Sequence, residues 1–532
     1  MIEISFNKVS KNYGFKNVLD NISFEIKTNE KVALIGDNGC GKTTIIKLIT
    51  KEEYPTSGTI SVRSNIKLGI LRQDNYDDLN EYLVKSIIYK SFNELDNIKN
   101  KMEKLEKEMS SSDGKKLDKL IIKYTELQDI FIKKGGYEIE TKIDKIISLF
   151  NVNNLMDKYY YTLSGGEKRI VNLICLILNE PDMLILDEPT NHLDINMIEY
   201  LEKYLNNYKG TLLIISHDRY FLDKVVNKII LIEDGRENIF HGNYTYYVKE
   251  NENRILNEFN EYKTYEKKVE EMKKAIKKLR EFGQKAYPLG ERFYRRAKSM
   301  EKRLEKMEKV KKPKQKSDIP INFDVNLRSG NDVLVINNLS YNYGDKIIFK
   351  NASCSIHYKE RVCLFSLNGK GKSTLLRLIM EGFDGIKLGS NLKIGYIDQN
   401  IKFDDENITV FDEAKKYVIG EEHIIRSKLF KYLFYDNDIY KRLSKLSFGE
   451  RLRLKIFCLV NLDNNFLILD EVTNHLDINT KELLEDALNK FDGTILFVSH
   501  DRYFINNIAT RIIEIKDNKF YSYIGNYDDY KH

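Results

Sequence analysis

Val32-Ala33-Leu34-Ile35-Gly36-Asp37-Asn38-Gly39-Cys40-Gly41-Lys42-Thr43-Thr44 is an apolar run, a glycine-rich loop and the first turn of a helix that continues as Ile45-Ile46-Lys47-Leu48-Ile49. The loop fits G-x-x-x-x-G-K-[ST], and a strand before it and a helix after it are the setting that pattern needs to hold phosphate. Gly36, Gly39 and Gly41 let backbone N–H groups face an anion, and the positive end of the helix adds to the attraction. Lys42 would reach the β and γ phosphates of a nucleotide, and Thr43 would ligate Mg²⁺. Met183-Leu184-Ile185-Leu186-Asp187 reads as a second buried strand ending in an acid. Asp187 would hold the Mg²⁺ through water, and Glu188 would polarise the attacking water; such catalysis is mostly positioning and charge stabilisation. The expected fold class is α/β, built on P-loop nucleotide-binding domains.

The same blocks occur twice. Leu163-Ser164-Gly165-Gly166-Glu167 returns 283 residues later as Leu446-Ser447-Phe448-Gly449-Glu450. Leu186-Asp187-Glu188-Pro189-Thr190-Asn191-His192-Leu193-Asp194 returns at the same offset of 283 as Leu469-Asp470-Glu471-Val472-Thr473-Asn474-His475-Leu476-Asp477. Ser216-His217-Asp218-Arg219-Tyr220-Phe221 returns at 499–504. The second phosphate loop, Ser366-Leu367-Asn368-Gly369-Lys370-Gly371-Lys372-Ser373-Thr374, is out of register: Lys372 follows Lys42 by 330, so the first copy holds about 47 extra residues before its LSGGE. These are expected to form a helical arm at about 80–135. Leu95, Ile98, Met102, Leu105 and Met109, then Leu117, Leu120, Tyr124, Leu127 and Phe131, repeat at helical spacing on either side of a turn composition.

A second insertion separates the copies. Residues 249–316 hold 23 Lys and Arg against 12 Asp and Glu, a net of +11 in a chain whose total is +6. Tyr265, Val269, Met272, Ile276 and Leu279, and later Ala297, Met300, Leu304 and Met307, are spaced for two helices. Two glycines and a proline are expected to break them over a tip at about 282–296, with Pro313 and Pro320 marking the return to extended chain. Domains are therefore expected at 1–248, 249–322 and 323–532. Concentrated positive charge points to a polyanion partner.

With LSGGE in the first copy and LSFGE in the second, the sequence resembles the ATP-binding-cassette superfamily over about 430 of its 532 residues. The resemblance implies two ATP molecules sandwiched between the cassettes. Ser164, Gly165 and Gly166 of one copy, and Ser447 and Gly449 of the other, would each cap the γ-phosphate bound opposite. It also implies that Tyr13 and Tyr343 stack on adenine, that Gln73 and Gln399 are Q-loop glutamines reaching the metal, and that His217 and His500 are switch histidines. Glu188 and Glu471 become the catalytic bases, and Thr43, Gln73 and Asp187, with Ser373, Gln399 and Asp470, the Mg²⁺ sets. Tandem cassettes in one chain, an arm in the first and a long helical linker resemble the ABC-F group of ATPases. That likeness implies a cytoplasmic protein that works as a monomer with its own cassettes paired. It binds the ribosome at the exit-site side, and its linker reaches past the P-site tRNA toward the peptidyl-transferase centre. Phe282, Lys285, Tyr287, Leu289, Arg292, Phe293, Tyr294, Arg295 and Arg296 would be the contacts to large-subunit rRNA and tRNA. A tip of that length leans toward the antibiotic-resistance branch, with a housekeeping factor that tunes elongation as the alternative.

Hydrophobic residues make up 42% and charged residues 31% of the chain, with a mean hydropathy of −0.47, and no apolar run is long enough to span a bilayer. The first residues lack the basic start and apolar core of a secretion signal. Five cysteines without a CxxC pair indicate neither a disulfide framework nor a zinc site. Two other classes stay open. An exporter ATPase with separate membrane chains would associate with membranes. A DNA-repair cassette ATPase would be stimulated by DNA.

The second copy departs from the pattern at Ser366, Phe448 and Val472. Two competent but unequal ATP sites are expected. Single Glu188→Gln and Glu471→Gln variants should therefore differ in steady-state ATPase rate, and matching rates would contradict the inequality.

Overall fold

The structure, a computed structural model, describes residues 1–71, 81–90, 93–110, 114–133, 136–150, 152–191, 193–285, 290–307, 328–344, 346–367, 369–418, 420–474 and 476–531. These divide into two compact units, Met1–Asn243 with Pro320–His532, and Tyr244–Ile319. No helix among the described residues is long and apolar enough to cross a membrane.

In the first unit each copy builds a six-stranded sheet. In the first copy the order is Leu68–Leu71, Met183–Asp187, Thr211–Ile215, Lys31–Gly36, Lys228–Glu233, Arg236–Phe240. The first five strands are parallel and the last is antiparallel. Met183–Asp187 and Thr211–Ile215 are buried along nearly their whole length, as parallel strands covered on both faces must be. A three-stranded antiparallel sheet, Lys16–Lys27, Ile2–Tyr13, Ser57–Val62, forms a further layer. Phe6 and Phe24 from it share one core with Ile45 and Leu48 of the helix Lys42–Ile49 and with Leu34, Ile185 and Leu213 of the parallel sheet. The second copy repeats this plan, with Ile394–Ile397, Phe466–Asp470, Thr494–Val498, Arg361–Phe365, Arg511–Lys516 and Lys519–Ile524 in the corresponding order.

The motifs hold helices as well as chemistry. Ser164 and Glu167 form a reciprocal capping box at the start of Gly165–Leu178, and Ser447 with Glu450 does the same for Phe448–Val460. Asp194 and Asp477 cap Ile195–Asn207 and Ile478–Lys490.

The arm is a pair of helices, Asn93–Met109 and Lys115–Lys133, around Met102 and Phe131, with Ile98, Tyr124 and Leu127 packed against them. It is narrower than the expected 80–135. Val84–Lys90 is a separate helix with Val84 and Ile88 buried, and the Val84 N–H donates to the Lys158 carbonyl. The second copy has its counterpart in Val410–Lys415, so this segment belongs to the shared plan.

The second unit is a helical hairpin, Tyr244–Lys285 and Gly290–Glu305. The first helix has 42 residues and is about 63 Å long at 1.5 Å per residue. The expected break over 282–296 is corrected here. The helices take in Gly283 and Gly290, and only 286–289 separates them. A Cβ on Gly290 would lie 2.2 Å from the Gly283 carbonyl oxygen, and one on Gly283 would lie 2.9 Å from the Tyr294 ring. The glycines let two backbones approach rather than end the helices. Phe282 and Phe293 rings face each other across the pair at 6.3 Å, and Arg280 meets Glu301 at 2.6 Å. Pro313, Pro320, Tyr287 and Leu289 lie outside the described residues.

Gly290→Ala should force the helices apart and cost about 1–3 kcal/mol of hairpin stability. Hydrogen exchange would show faster opening at 276–297 with protection of the cassette strands unchanged; unaltered exchange would show that the contact is not tight.

Candidate active site

Three adjacent parallel strands deliver the first site. Lys31–Gly36 ends in the glycine loop, Met183–Asp187 in the two acids and Thr211–Ile215 at His217, so all three project from one sheet edge. That is where α/β sheets bind ligands. A cavity of about 350 Å³ is lined by Asn38, Gly39, Gly41, Lys42, Thr43, Thr44, Asp187, Glu188 and His217. Gly39 and Gly41 have φ of 78° and 108°. A Cβ on Gly41 would strike Leu19 and Val18 at 2.8 and 2.9 Å, while Gly39 faces open space. Lys42 Nζ donates to the Gly36 and Asp37 carbonyls at 2.7 and 3.0 Å, which arches the loop over the helix start. Gly41 caps that helix with no side-chain bond, leaving the first-turn N–H groups to a ligand.

Glu188 is held at a φ of 50°, and Glu471 at 47°. Non-glycine residues rarely sit there, and both copies place their glutamate in that conformation. Glu188 Oε1 is buried without a hydrogen-bond partner among the described residues; His217 Nε2 lies 3.5 Å away, outside bonding geometry. Burial, then Asp187, raises the Glu188 carboxyl to about 7, against the pull of Lys481 and Lys42. Burial, Lys42 and Lys481 hold His217 well below its ordinary value.

The second site uses the same strand ends with different contacts. Lys372 Nζ donates to the Ser366 carbonyl at 3.0 Å and lies 3.0 Å from His500 Nε2. Burial, then Lys372, pushes His500 down to about 3. Glu471 Oε2 accepts from Asn474 at 2.9 Å and from Gln399 at 3.2 Å. Burial raises Asp470 to about 6, opposed by a hydrogen bond from Ser373, and Asp470 Oδ1 has no partner among the described residues. Gly36 has φ 149°, and a Cβ there would lie 2.4 Å from the Ile232 carbonyl oxygen. Ser366 has no left-handed φ, so the second loop follows another course.

The two copies meet face to face. A cavity of about 750 Å³ is lined by Ser164, Gly165 and Gly166 of the first copy and by Gly369, Gln399, Glu471 and His500 of the second. The first copy's signature thus stands opposite the second copy's phosphate loop. Arg219 pairs with Glu485 and Arg502 with Glu202, each pair crossing between copies and each side chain at most 8% exposed. Arg219 lies in the repeated block at 216–221 and Arg502 in its copy at 499–504, and nothing in the blocks themselves gives either a role. The signal was present: Glu202 and Glu485 are themselves 283 apart. Lys481 and Asn474 were missed as well.

Not every expected residue gathers in these cavities. Tyr13 and Tyr343 are 45% and 48% exposed at the ends of antiparallel hairpins and line neither. Ser447 and Gly449 line neither cavity. Gly36, at the start of the first loop, and Gly371, Lys372, Ser373, Thr374 and Asp470 of the second copy line neither cavity. Gln73 and Asn368 lie outside the described residues.

The site fits Mg-ATP. A glycine cradle, a lysine, uncapped helix N–H groups and oxygen ligands from Thr43 with Asp187, and Ser373 with Asp470, suit a triphosphate and a hard cation. Mg²⁺ supplies charge neutralisation of the phosphate oxygens. The residues themselves would bind the phosphates and hold a water against Glu188 or Glu471; the His217 and His500 rings lie 3.5 and 3.7 Å from those carboxylates.

Fold and site define a tandem ATP-binding-cassette ATPase. The sequence matches the ABC transporter family at 19–191 and 349–474, and a second ABC transporter family segment at 230–323. YdiF of Bacillus subtilis (strain 168) is 36% identical over 100% of this chain and 82% of its own length. ABC transporter F family member 2 of Arabidopsis thaliana is 35% identical over 99% of this chain and 78% of its own length. Energy-dependent translational throttle protein EttA of Escherichia coli (strain K12) is 31% identical over 97% and 92%. Among solved structures, archaeal ABCE1 in complex with the stalk protein aP1 matches with a TM-score of 0.60 at 17% identity, over 95% of this chain and 87% of that one. The chain belongs to the ABC-F family and is an ATPase that uses ATP with Mg²⁺.

Both switch histidines are held below the ordinary 6.5 in the folded chain. The unfolded chain then binds more protons below that pH, so folding stability is lost as pH falls from 6.5. The raised carboxyls of Glu188 and Asp470 work in the opposite direction over the same range, so the histidine contribution is read by difference: between pH 6.5 and 5.5 the slope of stability against pH in nucleotide-free His500→Gln protein should differ from that of the unaltered chain by about 1 kcal/mol per pH unit, in the sense of a smaller loss on acidification. An unchanged slope in the variant would rule out the His500 contribution.

Proposed function

We propose that this ATPase works on the ribosome in the cytoplasm. ATP closes the cassettes, and the basic hairpin enters from the exit side past the P-site tRNA toward the peptidyl-transferase centre. Hydrolysis opens the cassettes and releases the protein. The observation that carries the reading is the hairpin itself. It holds the chain's excess positive charge, and Lys285, Arg292, Arg295 and Arg296 are exposed at the end where its helices meet. Phosphate backbones bind such a surface through counterion release, and aromatics stack on unpaired bases. The relative named as a translational throttle supports the same assignment. One chain supplies both cassettes, so a monomer suffices.

Tuning of elongation is the favoured outcome. The relative named as an energy-dependent translational throttle points to that outcome. Protection against large-subunit antibiotics is the second reading, carried by Phe282 and Tyr294, 58% and 43% exposed beside that connection.

The Glu188→Gln/Glu471→Gln double variant should co-sediment with ribosomes carrying a P-site tRNA only when ATP is present. Replacing Arg292, Arg295 and Arg296 by Ala should lower that retention and reduce its salt dependence. A double variant that binds ATP but stays off ribosomes would overturn the reading. Drug susceptibility of cells expressing Phe282→Ala and Tyr294→Ala variants separates the two outcomes.

A further inference from the structure

The interface between the copies follows the internal repeat closely. Arg219 lies 3.9 Å over the Tyr503 ring, and Arg502 lies 4.2 Å over Tyr220, so both arginines make the same pair of contacts across the join. The symmetry is incomplete, and one of its breaks lies in the shared cavity. Residues 198 and 481 are equivalent in the 283-residue register, and each follows its capping aspartate by four residues. The first is isoleucine and the second is lysine, and both are buried.

Lys481 is not a stray charge. Its Nζ donates to the His217 carbonyl of the other copy at 3.0 Å and to Asp501 Oδ2 of its own copy at 2.7 Å. Asp501 Oδ1 meanwhile caps the helix Arg502–Ile508, which fixes the carboxylate that holds the ammonium. The side chain is only 6% exposed and lines the shared cavity together with Glu188 and His217. Ile198 has no polar side-chain atom, so it cannot make the reciprocal bond to the carbonyl of His500. A buried ammonium with two acceptors, one of them in the opposite copy, is costly to place there for packing alone.

We propose that Lys481 is a positioning residue lent by the second copy to the first ATP site, holding the His217 peptide in place beside Glu188, and that the second site turns over without an equivalent. The bond runs to a backbone carbonyl, so it fixes the peptide from which the imidazole projects and not the ring itself. It forms only when the copies are closed on each other. Closure therefore completes the first site from both directions, whereas the second site relies on the contacts of Glu471 with Gln399 and Asn474 within its own copy. The inference needs the ATPase activity alone and does not depend on the ribosome.

The test separates the sites. In a Glu471→Gln chain only the first site turns over, and in a Glu188→Gln chain only the second. Lys481→Met should lower kcat roughly tenfold in the first background, with KM for ATP held within about twofold, the loss expected for one charge-assisted bond used in positioning. In the second background the rate should stay within about twofold. Lys481→Gln, a neutral donor of similar length, should restore most of the first-site rate. A general loss of stability would lower both backgrounds alike, so the contrast between them survives a weakened fold. Equal losses in both, no loss in either, or a loss confined to KM would overturn the proposal.

Discussion

Each copy buries an arginine against a glutamate of the other, and the active sites depend on that exchange. Arg219 reaches Glu485 and Arg502 reaches Glu202 in a join from which water is largely excluded. Buried ion pairs add little net stability, because desolvation offsets their attraction, but removing one partner typically costs about 3–5 kcal/mol. Their value is in register. A slip of the copies would strand four buried charges, so the two faces have one acceptable alignment. That alignment sets the first copy's Ser164-Gly165-Gly166 opposite the second copy's phosphate loop.

The chemistry sits where three strand ends converge. Parallel strands all point their carboxyl ends one way, so loops distant in sequence arrive at one edge. The phosphate loop, the Asp-Glu pair and the switch histidine are far apart along the chain and adjacent in the sheet. Left-handed backbone at Glu188 and Glu471 then turns each carboxylate off the strand axis. Such strain persists only where surrounding structure holds it, and both residues are anchored by N–H bonds to the neighbouring strand, at Ile215 and Val498.

The two sites have diverged within this common frame. Glu471 is satisfied by Gln399 and Asn474, whereas Glu188 keeps a buried, unpartnered oxygen among the described residues. Lys42 braces its own loop, while Lys372 divides itself between loop and switch histidine. Ser366 and Lys481 stand where the first copy has Gly36 and Ile198.

Much of this was legible from residues alone. The doubled motifs, with their constant spacing, point to two P-loop domains and single out candidate phosphate and acid ligands, because glycines at fixed offsets and a strand ending in Asp-Glu have few other uses. The charge of the linker and the helical spacing of the arm are equally local properties. What sequence could not decide was anything set by approach between distant segments. Gly283 and Gly290 look like helix breakers in one dimension, and only the packed hairpin shows that they let two backbones meet. The arm's true start depended on Val84 and Ile88 being buried in a helix whose counterpart exists in the second copy. The exchange of Arg219 and Arg502, and the reach of Lys481 to the His217 carbonyl, follow from how one copy faces the other. Spacing within a chain records which residues share an element; which residues touch across an interface is settled only when burial and electrostatics select one arrangement of the whole.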